Sequence, residues 1–188
     1  MLIIYAHPNK LGHCGQILKE VISGLEKKKV NYELLDLYAM NYDPVLKDDE
    51  HYTSDHREVS PENSALQAKI KNSGKFIFIY PAWWNSAPAI LKGFIDRIFT
   101  ARFAYYYKNG LPKTLLSGKA AVIVSTGSPR IVTKFIYKDG SIKLLTRDTL
   151  KFCGIKAKGF VIDRATKLTD KQKSKIAKKV KSALDYLA

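Results

Sequence analysis

The sequence predicts an α/β protein of one domain over residues 1–188, built on a doubly wound parallel sheet of five strands. Short apolar runs rich in β-branched and aromatic residues alternate along the chain with longer stretches whose apolar residues recur at helical spacing. The short runs are continuous, as is typical of strands buried on both faces. Strands that alternate with helices imply right-handed crossovers, so we expect helices on both faces of the sheet.

Each element is predicted from one of these two patterns. The continuous apolar runs predict the strands, which in chain order are residues 2–5, 32–37, 76–80, 120–124 and 159–162. Apolar residues spaced three or four apart predict the helices, which are residues 17–25, 65–70, 89–99, 142–152 and 170–188. The long stretch over residues 38–61 is polar and irregular, and it is either a surface excursion or a wall of a pocket or partner contact.

Composition indicates a globular domain in a reducing compartment. The 188 residues are 46% hydrophobic, which excludes an intrinsically disordered chain. No apolar run approaches the ~20 residues of a membrane helix, and the first residues lack the basic flank and cleavage site of a signal peptide. Cys14 and Cys153 have no metal-site spacing and cannot form a disulfide framework. We therefore expect a cytoplasmic protein without a metal site that is not integral to a membrane.

The net charge of +15 has two interpretations. It marks a surface for nucleic acid or an anionic membrane, or it is simply a solvated basic surface. Much of the excess lies on the last predicted helix, where lysines surround an apolar stripe of Ile176, Val180, Leu184 and Leu187. That pattern is typical of a packing helix with a solvated outer face, and no nucleic-acid recognition motif accompanies it. We therefore expect no nucleic-acid partner.

Three strand-end loops are the candidate functional regions, since ligands of doubly wound sheets bind beyond the carboxyl ends of the strands. Residues 7–15 combine glycines with a helix start, so they form either a phosphate site near His7 and Lys10 or an ordinary tight connection. Two adjacent tryptophans in residues 80–88 suggest a wall for a flat aromatic ligand, although at least one is expected to pack under the next helix. Residues 125–129 are small and permit close approach. Together the loops suggest a phosphate pocket beside a slot for a planar ring, the shape of a flavin nucleotide.

Several motifs resemble one enzyme family in the order that the family uses. They are DLYAMNYDPV at 36–45, PAWW at 81–84, PAILKGFIDR at 88–97, FAYYY at 103–107 and FCG at 152–154. The chain resembles the NAD(P)H:quinone oxidoreductases of flavodoxin-like fold, the group that includes DT-diaphorase. NGLPK at 109–113, followed by Gly118 and Lys119, is similar to the bacterial branch in particular. The resemblance spans residues 7–154 and is most specific over 84–107.

The resemblance implies a flavin-dependent NAD(P)H dehydrogenase. The family has a five-stranded sheet in flavodoxin order, binds FAD or FMN, takes a hydride from NAD(P)H and passes two electrons to a quinone or similar acceptor. Its members are usually homodimers. An alternative is a regulatory subunit of a glutathione-gated potassium efflux system with little turnover of its own, because some relatives have that role.

The resemblance also implies which residues form the site. Those that would bind the cofactor are His7, Gly12, His13, Cys14, Gly15, Pro81, Ala82, Trp83, Trp84, Asn85, Ser125, Thr126, Gly127 and Ser128. Tyr105 and Tyr107 match residues that reach into the neighbouring subunit's substrate pocket. Relatives carry a tyrosine and a histidine after the third loop, whereas this chain has no histidine after His56, so Tyr137 is the one catalytic candidate. Gly12 and Cys14 stand where relatives often carry serine and asparagine, and Ser128 stands where a glycine is common.

Overall fold

Seven strands are present in the computed structural model, which describes residues 1–51 and 58–188. In chain order they are β1 (Leu2–Tyr5), β2 (Glu33–Asp36), β3 (Lys75–Pro81), β4 (Tyr105–Lys108), β5 (Leu111–Thr114), β6 (Lys119–Ser125) and β7 (Lys156–Ile162). Five of them form one parallel sheet in the order β2-β1-β3-β6-β7, with Tyr5 opposite Ile79 and Ile79 opposite Ile123. The predicted doubly wound sheet is therefore confirmed, in the flavodoxin order that the resemblance implies.

Five α-helices accompany the sheet within the described ranges. They are α1 (His13–Lys27), α2 (Pro61–Ser73), α3 (Ala89–Ile98), α4 (Gly140–Lys143) and α5 (Asp170–Leu187). Helix α2 is longer than predicted, because the Ser60 hydroxyl accepts from the Asn63 amide at its start and left-handed Gly74 ends it. The helix predicted over 142–152 is instead the short α4, which continues as a π-helix over Leu144–Lys151. A second π-helical turn covers Val132–Ile136.

The strands are buried on both faces, and each face has its own apolar cluster. Leu2 and Ile4 of β1 pack with α2, α3 and the segment after α4, whereas Ile3 and Tyr5 pack with α1 and α5. The predicted stripe of α5 is buried, and its lysines lie mostly on the exposed side, as expected for a packing helix with a solvated face. In the described part of the chain, no helix is both long enough and apolar enough to cross a bilayer.

Strands β4 and β5 form an antiparallel hairpin that the sequence analysis missed. Its two-residue loop is Asn109 and Gly110, both with positive φ (53° and 75°), which is the type I′ geometry that this pair favours. The Asn-Gly pair was an available signal, but the tyrosines beside it were interpreted as a motif and not as a strand. The hairpin packs on the main domain through Tyr105, whose ring centroid lies 4.9 Å from that of Phe152.

A buried ion pair anchors the described part of the polar stretch over residues 38–61. The Arg97 guanidinium of α3 donates from Nε and Nη2 to the Glu50 carboxylate, at 2.7 Å each, and both side chains are buried. Asn63 of α2 donates to Glu50 and accepts from the Tyr42 hydroxyl, both at 3.0 Å. Leu46, Glu50 and His51 also line a cavity of about 350 Å³ beside the hairpin. This part of the stretch is thus a packed wall, whereas residues 52–57 lie outside the described residues.

Loss of the buried pair should destabilise the protein far more than loss of an exposed one. Glu50→Gln leaves the buried Arg97 charge with only the more distant carboxylate of Asp43, at 3.7 Å, so we expect the free energy of unfolding to fall by about 3 kcal/mol. Asp96→Asn is the control, because it breaks an exposed pair with Lys92 (2.7 Å) and should cost about 0–1 kcal/mol. Urea unfolding of both variants is the measurement. Equal losses would contradict the anchoring role.

Candidate active site

The three candidate loops converge where the strand order reverses. That switch point lies between β1 and β3, and the loops after β1, β3 and β6 meet beyond the carboxyl ends of these strands. The His7 ring lies 5.9 Å from the Trp83 ring between centroids, which joins the first loop to the second. The Ala82 amide donates to the Ser125 carbonyl at 2.8 Å, which joins the second to the third. The structure therefore brings the predicted loops into one site.

The N-terminus of α1 is open to a ligand. Its N-cap, Gly12, has no side chain to accept from the helix, and the first turn contains no acidic residue. In contrast, Ser60 and Thr169 cap α2 and α5. Within the described residues, the amides of residues 12–15 have no hydrogen-bond acceptor. Free amides together with the positive end of the helix dipole favour an anion such as a phosphate.

The first loop folds back tightly over this helix start. A Cβ on Gly15 would lie 1.7 Å from the Lys10 carbonyl oxygen, whereas a Cβ on Gly12 would have no atom within 4 Å. Lys10 is not free for an anion, since its Nζ lies 2.6 Å from the carboxylate of Asp36 at the end of β2. The close approach at Gly15 is therefore what shapes the loop, and Lys10 anchors it.

Two histidines flank the open helix start and differ in burial and in hydrogen bonding. His7 Nδ1 accepts from the Asn9 amide at 3.0 Å, so a neutral His7 ring carries its proton on Nε2 and can donate to a ligand. His13 is buried, and its Nε2 has no partner among the described residues. Burial lowers the pKa of His13, outweighing an opposing contribution from the Lys167 backbone, so the ring is neutral at neutral pH. A buried orphan nitrogen in the first turn of α1 fits a site that a polar ligand completes.

Cys14 enters the site through its backbone alone. Its side chain is buried, with Sγ 3.1 Å from the Ser125 hydroxyl, and burial raises the pKa of the thiol to about 12. The residue therefore links the starts of α1 and of the third loop. Cys153 is buried as well, in the apolar cluster that also contains residues of α2 and α3.

The tryptophan loop is a tight turn that exposes both indoles. Trp83 and Ser86 exchange backbone hydrogen bonds of 3.1 and 2.9 Å around Trp84 and Asn85, whose φ angles are 51° and 54°. Trp84 is fully exposed and Trp83 is 41% exposed, so the expectation that at least one would pack as core is wrong. The reason is the type I′ turn, which directs these side chains away from the core. Left-handed backbone costs about 1–2 kcal/mol in a residue such as tryptophan, and strain of this kind concentrates at functional sites.

A cavity of about 520 Å³ lies between the second and third loops. Its lining contains seven of the predicted site residues, which are Ala82, Trp84, Asn85, Thr126, Gly127, Ser128 and Tyr137, together with Thr133 and Ser141. The amides of Trp84, Asn85 and Gly127 have no acceptor among the described residues, whereas those of Trp83 and Thr126 donate to Ser86 and Ile162. The volume is in the range of small-molecule sites, and the free amides are its fixed polar groups.

Other predicted residues lie elsewhere. Pro81 is buried within β3, and the Ser125 hydroxyl is directed to Cys14 and not to the cavity. Tyr105 lines the separate cavity beside the hairpin, and Tyr107 is 62% exposed, so a single chain does not bring either into the site. Thr133 and Ser141 were missed, because they lie between the third loop and the helix predicted over 142–152, and only folding places them in one cavity with Tyr137. Among the described residues, no cluster of histidine, cysteine or carboxylate side chains could hold a metal ion.

Comparison with known proteins agrees with the fold. A family model described as flavodoxin-like fold matches residues 1–187. An uncharacterised NAD(P)H oxidoreductase of Haemophilus influenzae is 31% identical over 82% of this chain and 78% of its own length. NAD(P)H dehydrogenase (quinone) 1 of Cavia porcellus is 32% identical over 81% of this chain, which spans 64% of that protein. The crystal structure of Smu.1420 from Streptococcus mutans superposes with a TM-score of 0.86 at 34% identity, covering 98% of both chains.

Substitution of Gly15 should lower the free energy of unfolding far more than substitution of Gly12. Gly15→Ala places a methyl group against the Lys10 carbonyl, and we expect this overpacking to lower the free energy of unfolding by about 1–3 kcal/mol. Gly12→Ala meets open space and is the matched control. Urea unfolding measures both. A Gly15→Ala protein as stable as the control would show that the loop does not need this close approach.

The buried His13 ring should make stability pH-dependent. A group whose pKa is lowered by folding binds a proton more weakly in the folded chain than in the unfolded one. Its contribution is therefore complete above the ordinary histidine pKa of about 6.5 and is lost as the pH falls below that value. We expect His13→Gln to reduce the decline in the free energy of unfolding between neutral and mildly acidic pH. An unchanged pH profile would show that protonation of His13 does not oppose folding.

Proposed function

Because the chain belongs to the flavodoxin-like fold family, we propose that it is a flavin-dependent NAD(P)H oxidoreductase that passes two electrons to a quinone or similar small acceptor. The observation that carries the proposal is the meeting of an uncapped helix start and a 520 Å³ cavity at one edge of the sheet. A phosphorylated planar ring requires both a phosphate site and a flat pocket. NAD(P)H oxidoreductases among the relatives support the same reaction class.

The residues present fit FMN or FAD. The free amides of residues 12–15 would hold a flavin phosphate, with His7 Nε2 as a further donor and His13 as the adjacent orphan nitrogen. The ring would lie in the cavity between the second and third loops. When bound, a flavin supplies the acceptance of a hydride and the delivery of two electrons. The chain supplies binding and orientation, and it places the nicotinamide and the acceptor against the ring in turn.

The chain's own donors favour negative charge in the cavity. Preorganised backbone amides stabilise charge that develops during a reaction, because they need no reorganisation. Of the amides around 83–85 and 126–127, the structure leaves those of Trp84, Asn85 and Gly127 for this role. Tyr137 lines the same cavity, and its hydroxyl is our candidate for donating a proton to the reduced acceptor. Thr133 is less suitable, since its hydroxyl already donates to the Arg130 carbonyl at 2.9 Å.

We propose that the active form is a cytoplasmic homodimer. The surface around the site exposes large apolar side chains, including Leu11 (87%), Trp84 (100%), Phe135 (67%) and Ile136 (68%), which is typical of an interaction surface. A partner on this surface would bring its β4 tyrosines toward the cavity. Two free, buried thiols suit a reducing compartment. The Haemophilus and guinea-pig relatives are described as oxidoreductases and not as transporter subunits, so the regulatory-subunit alternative has no support from them.

An absorption spectrum tests the function directly. The purified protein, incubated with FMN or FAD and then desalted, should retain flavin bands that NAD(P)H bleaches anaerobically and a quinone restores. The cofactor that is retained identifies the natural one. Gly15→Ala should retain less flavin than Gly12→Ala, because the first disturbs the loop that presents the amides. A protein that retains neither flavin would refute the proposal.

A further inference from the structure

We infer that Asn85 is a positioning residue whose side-chain amide ties the wall formed by residues 137–141 to the turn that carries Trp84, and so shapes the pocket for the nicotinamide and the acceptor. The inference rests on the proposed function for what the pocket binds, but not for the contact itself. Asn85 Nδ2 donates to the Tyr137 carbonyl at 2.9 Å, and Asn85 Oδ1 accepts from the Ser141 amide at 3.3 Å. One side chain therefore joins two loops that are more than 50 residues apart in the chain.

The wall has few other attachments on the side of the cavity. Residues 131–137 include Ile131, Phe135 and Ile136, each about 70% exposed, so little apolar packing holds this segment. Arg130 pairs with Asp139 and the Tyr80 hydroxyl donates to the Ser141 carbonyl at 2.6 Å, which secures the two ends. Between these ends, the Tyr137 carbonyl accepts from Asn85 Nδ2 and, at 3.1 Å, from the Gly140 amide. The backbone that carries the Tyr137 ring is thus joined to the opposite loop through Asn85.

The absence of a side chain at Gly140 leaves room for the Asn85 amide. A Cβ on Gly140 would lie 2.5 Å from Asn85 Nδ2 and 3.0 Å from Asn85 Cγ, so any larger residue would displace the side chain. The φ of Gly140 is not in the left-handed region, since the glycines with positive φ are Gly74, Gly110, Gly118 and Gly154. Close approach of Asn85, and not backbone geometry, is what requires a glycine here.

Asparagine also satisfies two separate requirements of position 85. The turn needs φ near 54°, a conformation that asparagine tolerates better than most residues. The contact needs one donor and one acceptor, which an amide has and an aspartate lacks. One N–H and one oxygen lone pair of the Asn85 amide serve this contact, and the amide keeps a second of each for other partners.

The test compares Asn85→Gly with Asn109→Gly in the full-length protein. Glycine keeps the left-handed backbone in both turns, and Asn109 (φ 53°) lies in the hairpin loop away from the cavity. For Asn85→Gly we expect amide hydrogen exchange over residues 131–141, which include the Ser141 amide that loses its acceptor, to quicken about fivefold to tenfold, the effect of one or two exposed hydrogen bonds. We expect the KM for NAD(P)H and for a quinone to rise by a similar factor. Asn109→Gly should change none of these quantities.

Gly140→Ala provides a second route to the same state without altering Asn85. It should reproduce the exchange and KM changes, and it should add less in the Asn85→Gly background, where only the carbonyl oxygen of residue 85 remains close to the added Cβ, at 3.1 Å. Unchanged exchange in Asn85→Gly would overturn the inference. So would a loss of flavin affinity without faster exchange, because that pattern indicates direct cofactor contact. Hydrogen exchange is measured on the flavin-free protein, so it tests the Asn85 hydrogen bonds without relying on turnover. Failure of the wild-type protein to turn over would refute only the proposed function.

Discussion

Burial of both faces of the parallel sheet is the constraint on which the rest of the structure depends. Every residue of β1 is buried, and so are six of the seven in β3 and in β6. These three central strands expose neither face to solvent, so helices must cover both, and each connection must return over the sheet. Polar groups are thereby confined to the strand ends. At the carboxyl edge, the reversal of strand order opens the space in which three loops meet.

The site that results is built mainly from the backbone. Free amides at the start of α1 and at Trp84, Asn85 and Gly127 supply its donors, and the tight approach at Gly15 shapes its first loop. A site of this kind depends less on side-chain identity than one built from hydroxyls and amides. Gly12 and Cys14, where the resemblance implies serine and asparagine in many relatives, leave the backbone amides of this loop free within the described residues.

Charged side chains occupy two different environments in this protein. The pair of Arg97 and Glu50 is buried and fixes a loop against α3, whereas most of the excess lysines lie on exposed surfaces. Burial alone would raise the pKa of Glu50, but hydrogen bonds from Arg97 bring it below its ordinary value, so the carboxylate stays charged. Lys156 and Lys158 lie exposed on the edge strand β7, where lysine discourages pairing with another sheet. The net charge of +15 is therefore a property of the surface and not of the fold.

The sequence by itself determined the five strands of the main sheet, most of the helices, the sheet class and the three loops of the candidate site, but not the hairpin of β4 and β5. These follow from local periodicity and from short motifs, because both depend only on residues that are close together in the sequence. Tertiary structure alone decided that Cys14 points to Ser125, that neither tryptophan is core and that Asn85 bonds to the 137–141 wall. Cys14 and Ser125 are 111 residues apart, and Asn85 and Ser141 are 56 apart. No local pattern encodes such contacts, because they exist only once the sheet has brought the strand ends together.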